Sequence, residues 1–125
     1  MHISIDAGTG HYHIKAYEAH FIQVNDQQLT HSLIISPTLL ISPWTVSTVK
    51  ALRAEDFTPL WALKPSIVLL GTGPTLYFPE ISISQIFLER KIGLEVMDTP
   101  AACRTYTALS AEGRSVAAAL LLIKE

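Results

Sequence analysis

The chain has 125 residues, of which 49% are hydrophobic and 16% charged, and its formal net charge is −2. This balance is typical of an ordered globular protein, since disordered chains combine few apolar residues with a high net charge. We therefore predict one domain over residues 1–125. The slight acidity argues against a protein that binds nucleic acid, because no basic run is present to neutralise several phosphates. The single cysteine excludes an intrachain disulfide and fits a reducing compartment.

Targeting signals are not evident in the sequence. No segment approaches the ~20 consecutive apolar residues that a membrane-spanning helix needs. The N-terminal region contains Asp6 and early histidines but neither a basic stretch followed by an apolar core nor an arginine-rich presequence. We expect a cytoplasmic protein that is mature from Met1 and has no transmembrane segment.

The first third of the chain has the short apolar or alternating runs that are typical of β-strands. Asn25 and Asp26 separate two of these runs and form a plausible hairpin turn. The predicted strands cover residues 11–16, 20–24 and 29–36.

Two prolines mark the next segment. Pro37 and Pro43 bracket residues 38–42, which we predict as an edge strand because proline cannot donate to a strand ladder. Residues 45–63 suggest one or two short helical turns, with Pro59 as a possible helix start.

In the second half, strand and helix patterns alternate. Residues 82–85 match a capping box, and Ile81 and Ile86 are placed for a hydrophobic staple. Successive strands that are joined by helices imply right-handed crossovers and parallel, neighbouring strands. The fold class is therefore α/β, with mixed β-sheet layers and a parallel strand-helix-strand-helix-strand second half. The predicted strands are 66–70, 93–97 and 116–123, and the predicted helices end near Lys91 and at Gly113.

The ends of two of these strands predict a ligand crevice. If strands 66–70 and 93–97 are parallel neighbours, the loop Gly71-Thr72-Gly73 lies beside the helix start Asp98-Thr99. Ligands of open α/β sheets bind beyond the carboxyl ends of strands. Thr99 is a candidate N-cap before Pro100. If a ligand binds there, a small anion is the class that the residues favour, because free N–H groups and the helix dipole attract negative charge. The alternative is a tight turn in which the glycines only satisfy the local backbone geometry and bind no ligand.

The only cysteine lies in the first turns of the same helix. Arg104 and the helix N-terminus favour a reactive thiolate at Cys103. Against this, Cys103 borders the apolar face of the helix, and small buried cysteines are common in protein cores. We expect the inert, buried alternative. The candidate ligand-binding set is Gly71, Thr72, Gly73, Asp98, Thr99, Cys103 and Arg104, and no residue is assigned as catalytic.

Other polar residues have simpler explanations. His11 and His13 alternate on a predicted strand, near His20 and His31, but without an acidic or cysteine cluster we expect neither a metal nor another cofactor. Ion pairs are expected for the arginines that bracket the last helix, and Tyr106 is expected to pack its ring with its hydroxyl bonded at the rim.

Four segments of the second half carry a family resemblance. They are Leu69-Leu70-Gly71-Thr72-Gly73 with Phe78-Pro79, Gly93 to Thr99, Ala101-Ala102-Cys103-Arg104-Thr105-Tyr106, and Glu112-Gly113-Arg114. With them the chain resembles the family of the mitochondrial complex I (NADH dehydrogenase) assembly factor 3 and the adipogenesis-associated Mth938-domain protein. The resemblance implies a compact fold of β-sheet layers with helices. It also implies action through protein partners rather than an established reaction.

Two functional hypotheses follow. The first is a non-enzymatic interaction or assembly protein with a protein partner and a small-anion pocket. The alternative is a small enzyme or metabolite-binding protein that uses the Gly71/Gly73 loop and the helix start at residues 98–104. The family resemblance and the lack of a complete catalytic set favour the first.

Overall fold

The computed structural model describes residues 2–5, by their backbone, and residues 11–123. Within these residues the chain forms nine strands, three α-helices and two short 3-10 helices. The strands are β1 (His2–Ile5), β2 (Ile14–Glu18), β3 (Phe21–Val24), β4 (Gln27–Leu29), β5 (Leu33–Ile35), β6 (Leu39–Ser42), β7 (Ile67–Gly71), β8 (Gly93–Met97) and β9 (Val116–Leu120). The α-helices are α1 (Thr58–Trp61), α2 (Ile81–Glu89) and α3 (Thr99–Ala111), and the 3-10 helices are Val49–Ala51 and Ala54–Phe57.

A six-stranded mixed sheet in the order β1-β6-β5-β9-β7-β8 forms the centre of the molecule. Leu69 of β7 lies opposite Glu95 of β8 on one side and Ala118 of β9 on the other, and both pairings are parallel. The remaining pairings in this sheet are antiparallel. The predicted arrangement of three adjacent parallel strands with an antiparallel first part is therefore confirmed.

The second sheet is antiparallel, in the order β2-β3-β4. The predicted hairpin turn at Asn25-Asp26 joins β3 to β4 and is confirmed. Asn25 takes a φ of 52° there, a left-handed conformation that asparagine tolerates better than most residues.

Both faces of the central sheet are covered. Because side chains alternate along β9, Ala117, Ala119 and Leu121 belong to a core with α2 and the short helices, whereas Ala118 and Leu120 belong to a core with α3 and the second sheet. A strand buried on both faces reads as a continuous apolar run rather than as an alternating one. This placement explains the run at 116–120.

Three expectations for the first half are wrong. Residues 38–42 are not an edge strand, because β1 pairs with β6 with His2 opposite Ser42. Pro37 and Pro43 flank β6 rather than interrupt it, so its N–H groups remain free to pair on both sides. The predicted strand at 29–36 is split between β4 in one sheet and β5 in the other.

The predicted strand at 11–16 also begins too early. His11 and His13 precede β2, which starts at Ile14, so they do not share a strand face as expected. The N–H of Tyr12 donates to the Pro37 carbonyl instead.

The helix starts also differ from expectation. Asp98, not Thr99, caps α3, and the capping box at 82–85 is wrong, because α2 begins at Ile81 without a side-chain cap. Glu80 is still extended, so the helix starts early enough to place Ser82 inside its first turn. Ile81 is exposed and cannot form the expected staple. Pro59 does lie in the first turn of α1, as predicted.

Candidate functional site

Thr99 joins three elements at the carboxyl edge of the parallel strands. Its hydroxyl accepts a hydrogen bond from the N–H of Gly73 at 2.8 Å and donates to the carbonyl of Leu121 at 2.7 Å. The N–H of Thr99 in turn donates to the Gly73 carbonyl at 2.8 Å. The loop after β7, the start of α3 and the end of β9 therefore meet at one buried side chain, which brings Gly73 and Thr99 into direct contact.

The backbone donors at the start of α3 are already engaged. The Asp98 carboxylate accepts from the N–H of Ala101 at 2.8 Å, and the Asp98 carbonyl accepts from the N–H of Ala102 at 3.0 Å. Pro100 has no N–H, and the N–H of Thr99 is bound to Gly73. The N–H groups of residues 99, 101 and 102 are therefore bound within the protein and are not available to an anion in this geometry.

Gly71 and Gly73 have structural reasons to be glycine. A Cβ at Gly71 would lie 2.9 Å from Thr99 Oγ1 and 3.0 Å from Thr99 Cα. Gly73 has a φ of +100°, which residues with a Cβ rarely adopt. The two glycines thus permit the close approach of the loop to α3, whether or not a ligand binds beside them.

Thr72 stabilises the loop that follows β7. Its buried hydroxyl donates to the carbonyl of Thr75 at 2.7 Å and accepts from the N–H of Tyr77 at 3.1 Å. Both hydrogen-bonding functions of the hydroxyl are satisfied within the loop. Thr72 therefore fixes the path of the chain into the exposed segment that begins at Leu76.

Cys103 is fully buried, at 0% exposure, between α3 and the central sheet. Burial raises the pKa of its thiol from 9.0 to about 12, and the opposing effect of the Arg104 charge is smaller. The thiol is therefore neutral near pH 7 and out of reach of solvent. The inert alternative agrees with this geometry.

Arg104 is exposed and turned toward the second sheet. Its Nη1 donates to the Tyr17 hydroxyl at 3.1 Å, and this hydrogen bond is the main reason that the pKa of the guanidinium is raised. A cavity of about 290 Å³ opens between Tyr17 and the start of α3. It is lined by Tyr17, Glu18, Ala19, Gly73, Pro74, Thr99, Pro100, Leu121, Leu122 and Ile123.

Of the seven predicted site residues, Gly73 and Thr99 line this cavity and the other five do not. Sequence reasoning missed Tyr17 and Glu18, which come from β2. No local pattern identifies them, because they reach the cavity only through the packing of the second sheet on α3.

Exposed apolar side chains occupy the segment after the β7 loop and one face of α2. Phe78 is 75% exposed and Leu88 is 78% exposed, although both are large and hydrophobic. We call the set the 76–88 surface; it consists of Leu76, Tyr77, Phe78, Ile81 and Leu88. On α2, Ile81 and Leu88 are seven residues apart and share one helix face, opposite the buried Ile83 and Phe87. The sequence had suggested a staple role for Ile81 and none for the rest.

The remaining expectations concern polar groups. Tyr106 is buried, and its hydroxyl donates to the carbonyl of Tyr12 at 2.9 Å. This agrees with the expected packed ring whose hydroxyl is hydrogen-bonded. Arg114 and Glu112 form an exposed ion pair at 3.9 Å. Across residues 11–123, no group of three or more histidine, cysteine or acidic side chains is placed to hold a metal ion. None of the helices in this part of the chain is long and apolar enough to cross a bilayer.

Comparison with known proteins identifies relatives over most of the chain. The human NADH dehydrogenase [ubiquinone] 1 alpha subcomplex assembly factor 3 is 30% identical over 111 residues, which are 87% of this chain and 60% of the human protein. The chain thus spans about 60% of the length of the human and rat assembly factors.

Solved structures share the fold. A Xanthomonas campestris protein is 38% identical with a TM-score of 0.80, over 89% of this chain and 84% of that one. A Bordetella pertussis protein described as a Mth938-like domain is 26% identical with a TM-score of 0.76, over 97% and 92%. A Bartonella henselae protein described as an outer membrane protein is 26% identical with a TM-score of 0.82, over 92% and 98%.

A family model matches residues 14–121, from β2 to the end of the central strand β9. The matched region contains both sheets except for β1, together with the Gly73–Thr99 junction and the 76–88 surface. The chain therefore belongs to the family described as protein of unknown function DUF498/DUF598 and has the Mth938-like fold.

Proposed function

We propose that this chain is a non-enzymatic assembly-type protein that binds a partner protein through the 76–88 surface. The observation that carries the proposal is the exposure of five large apolar side chains on one continuous segment. Scattered apolar residues on a surface need no explanation, but contiguous ones are typical of interaction sites. Aromatic residues such as Tyr77 and Phe78 are also enriched at the centres of protein interfaces.

Rigidity of the segment supports the same function. The two hydrogen bonds of the Thr72 hydroxyl fix the chain at Thr75 and Tyr77, and the buried face of α2 packs Phe87 edge-on against Phe57 at 5.1 Å between ring centroids. The exposed side chains are therefore presented from an ordered scaffold. A preorganised surface loses less conformational entropy when a partner binds.

The printed name of the human relative points in the same direction, since it is an assembly factor. An assembly factor acts by holding other proteins, and this activity needs an exposed surface rather than a catalytic centre. We expect the chain to act in the cytoplasm.

The second candidate is a metabolite-binding protein or small enzyme that uses the Gly71/Gly73 loop and the α3 start. The 290 Å³ cavity beside Gly73 and Thr99 favours a pocket for a small molecule. The small-anion pocket remains a prediction, and its weakness is that the backbone donors of α3 are bound within the protein. An enzyme that worked through a cysteine nucleophile would further need an accessible thiol, which the buried Cys103 does not supply.

Affinity purification of the chain from its native host separates the two candidates. The expected result is a protein that co-purifies in a fixed molar ratio with the tagged chain. A co-purifying metabolite without a stoichiometric protein would favour the second candidate instead. The comparison is made at two salt concentrations, because an apolar interface tolerates salt better than an adventitious charged one.

A further inference from the structure

We infer that the 290 Å³ cavity beside Thr99 binds a small apolar molecule that ends in a carboxylate, and that Tyr17 and Arg104 hold the carboxylate end. The inference rests on the second candidate function, for which it names the class of ligand. It is independent of partner binding by the 76–88 surface, because no residue of that surface lines the cavity.

Most of the cavity wall is apolar. Aliphatic side chains and proline rings form this part of the lining: Ala19, Pro74, Pro100, Leu121, Leu122 and Ile123. Such a surface favours a compact hydrocarbon group, which gains free energy by leaving water. The volume is near the lower end of the range for small-molecule pockets, so the apolar part of the ligand is small.

The register of β2 and β3 places Tyr17 on the side of the second sheet that faces α3. Tyr17 lies opposite Ile22, which is fully buried in the core that α3 shares, and residues directly opposite on antiparallel strands lie on the same face. Glu18 is also a lining residue, but it lies opposite Phe21 and therefore on the other face of the strand. The register thus directs the Tyr17 ring, and not the Glu18 carboxylate, toward α3.

The Tyr17 hydroxyl and the Arg104 guanidinium form the polar wall. The hydroxyl oxygen accepts from Arg104 Nη1 at 3.1 Å, and a phenol that accepts in this way keeps its own O–H for another acceptor. The guanidinium has further N–H donors, and in the described part of the chain it forms no ion pair with a carboxylate. These side-chain donors suit a carboxylate, whereas the backbone donors of α3 are already bound within the protein.

The geometry of α3 places Arg104 beside the cavity. Pro100 lines the cavity, and a residue four positions later lies on the same helix face with its side chain tilted toward the N-terminus. Asp98 is an acidic neighbour of Arg104, but its carboxylate accepts the Ala101 N–H at 2.8 Å and does not line the cavity. The polar wall therefore carries a positive charge, which attracts a carboxylate and repels an ammonium group.

Phenylacetate, phenylacetamide and 2-phenylethylamine test the inference on the purified full chain at neutral pH, as anionic, neutral and cationic probes with the same ring. Backbone amide NMR shifts of Gly73 and Leu122, which line the cavity, give the affinities. The control amides are those of Asp56 and Ala62, which line a separate cavity of about 440 Å³. We expect phenylacetate to bind about five-fold more tightly than phenylacetamide, as one unit of opposite charge at about 4 Å in water provides. 2-Phenylethylamine should bind more weakly than phenylacetamide.

Two variants form a matched pair, because each removes one exposed positive charge. Arg104→Gln should abolish the preference for phenylacetate and leave phenylacetamide binding in place. Arg114→Gln, beyond the C-terminal end of α3, should keep the full preference. Tyr17→Phe keeps the ring but removes the O–H, and it should reduce the preference, because hydrogen bonds to a charged acceptor are stronger than those to a neutral one.

The inference is overturned if phenylacetamide or 2-phenylethylamine binds as tightly as phenylacetate. It is also overturned if the preference persists in Arg104→Gln or Tyr17→Phe, or is lost in Arg114→Gln. In these cases the cavity still binds an apolar molecule, so the second candidate function survives. Absence of shifts at the Gly73 and Leu122 amides, or equal shifts at the control amides, would refute both. Partner capture by the 76–88 surface is measured separately and is unaffected by either result.

Discussion

The hydroxyl of Thr99 donates to the carbonyl of Leu121 at 2.7 Å, although the two residues belong to different elements of the fold. With the N–H of Gly73 as its second partner, this side chain connects the parallel strands to the helix that follows β8. The residue that the sequence suggested as a cap is instead a buried connector. The cap itself is supplied by the preceding Asp98.

Removal of the Thr99 hydroxyl should therefore destabilise the fold. Thr99→Val keeps the shape of the side chain but leaves the Gly73 N–H and the Leu121 carbonyl without their partner, at an expected cost of about 1–3 kcal/mol in the free energy of unfolding. Urea unfolding at neutral pH measures it. Thr99→Ser is the matched control, and because it keeps the hydroxyl it should lose about 1 kcal/mol or less. A loss in Thr99→Val no larger than the loss in Thr99→Ser would contradict the connecting role of the hydroxyl.

The close approach of Gly71 to α3 gives a second prediction. In Gly71→Ala the new Cβ meets Thr99 Oγ1 at 2.9 Å and the Thr99 Cα at 3.0 Å, so we expect a loss of about 1–3 kcal/mol in unfolding free energy. Gly93→Ala is the control, because its nearest neighbour, the Ser66 carbonyl oxygen, is 3.4 Å away. That variant should be neutral or slightly stabilising, since alanine restricts the unfolded chain. A neutral Gly71→Ala would contradict the tight junction.

The burial of Cys103 predicts slow alkylation. With a pKa of about 12 and no exposure, the thiol should react with iodoacetamide at pH 8 only when the protein unfolds, so the rate should follow the unfolded fraction as urea is added. Cys103→Ser should cost about 1–3 kcal/mol, because it places a hydroxyl in an apolar site. Rapid alkylation of the folded protein, at the rate of a free thiol, would show that the thiol is accessible.

The same burial predicts a loss of stability in alkali. The unfolded chain releases the Cys103 proton near its ordinary pKa of 9.0, whereas the folded protein keeps it until about 12. Between these values the folded state binds more protons, so the free energy of unfolding should fall by about 1.4 kcal/mol for each pH unit. The buried Tyr106, whose pKa is also raised, adds a fall of the same sign above its ordinary value of 10.0.

Cys103→Ala isolates the contribution of the thiol. Urea unfolding at about pH 8.0, 9.5 and 10.0 should show a shallower decline in the free energy of unfolding for the variant than for the original chain. If the free energy of unfolding fell equally with pH in the two proteins, the thiol would have the same pKa in the folded and unfolded states.

The parallel half of the fold could be predicted because its signals are local. Strand-sized apolar runs, the left-handed Gly113 at a φ of 77° and the fixed hand of crossovers together determine which strand ends meet. The pairing of β1 with β6 could not be predicted in this way, since it joins segments that are distant in sequence. The division of residues 29–36 between two sheets could not be predicted either, because no residue type marks the point at which the chain leaves one sheet for the other.

The candidate site was predictable only in part, for the same reason. The meeting of Gly73 with Thr99 follows from parallel neighbours, but the saturation of their hydrogen bonds depends on Leu121 from a third element. Tyr17 and Glu18, which belong to the second sheet, are among the residues that line the cavity. The periodicity of the sequence does not indicate how that sheet packs on α3. The exposure of Leu88 could not be predicted, because the sequence of a helix with apolar residues on opposite faces does not indicate which face is buried.

The most direct test of partner binding compares how much partner protein is captured by two variants that introduce the same residue on different surfaces. Leu88→Gln changes the 76–88 surface, and Ala108→Gln introduces the same residue at an exposed position of α3. Both should leave stability within about 0.5 kcal/mol. The measurement is the molar ratio of captured partner to tagged chain from the native host. We predict that Ala108→Gln retains the ratio of the original chain, whereas Leu88→Gln reduces it at least about ten-fold, as loss of an interface anchor does. Equal capture by both variants, or no stoichiometric protein on the original chain, would contradict the proposed function.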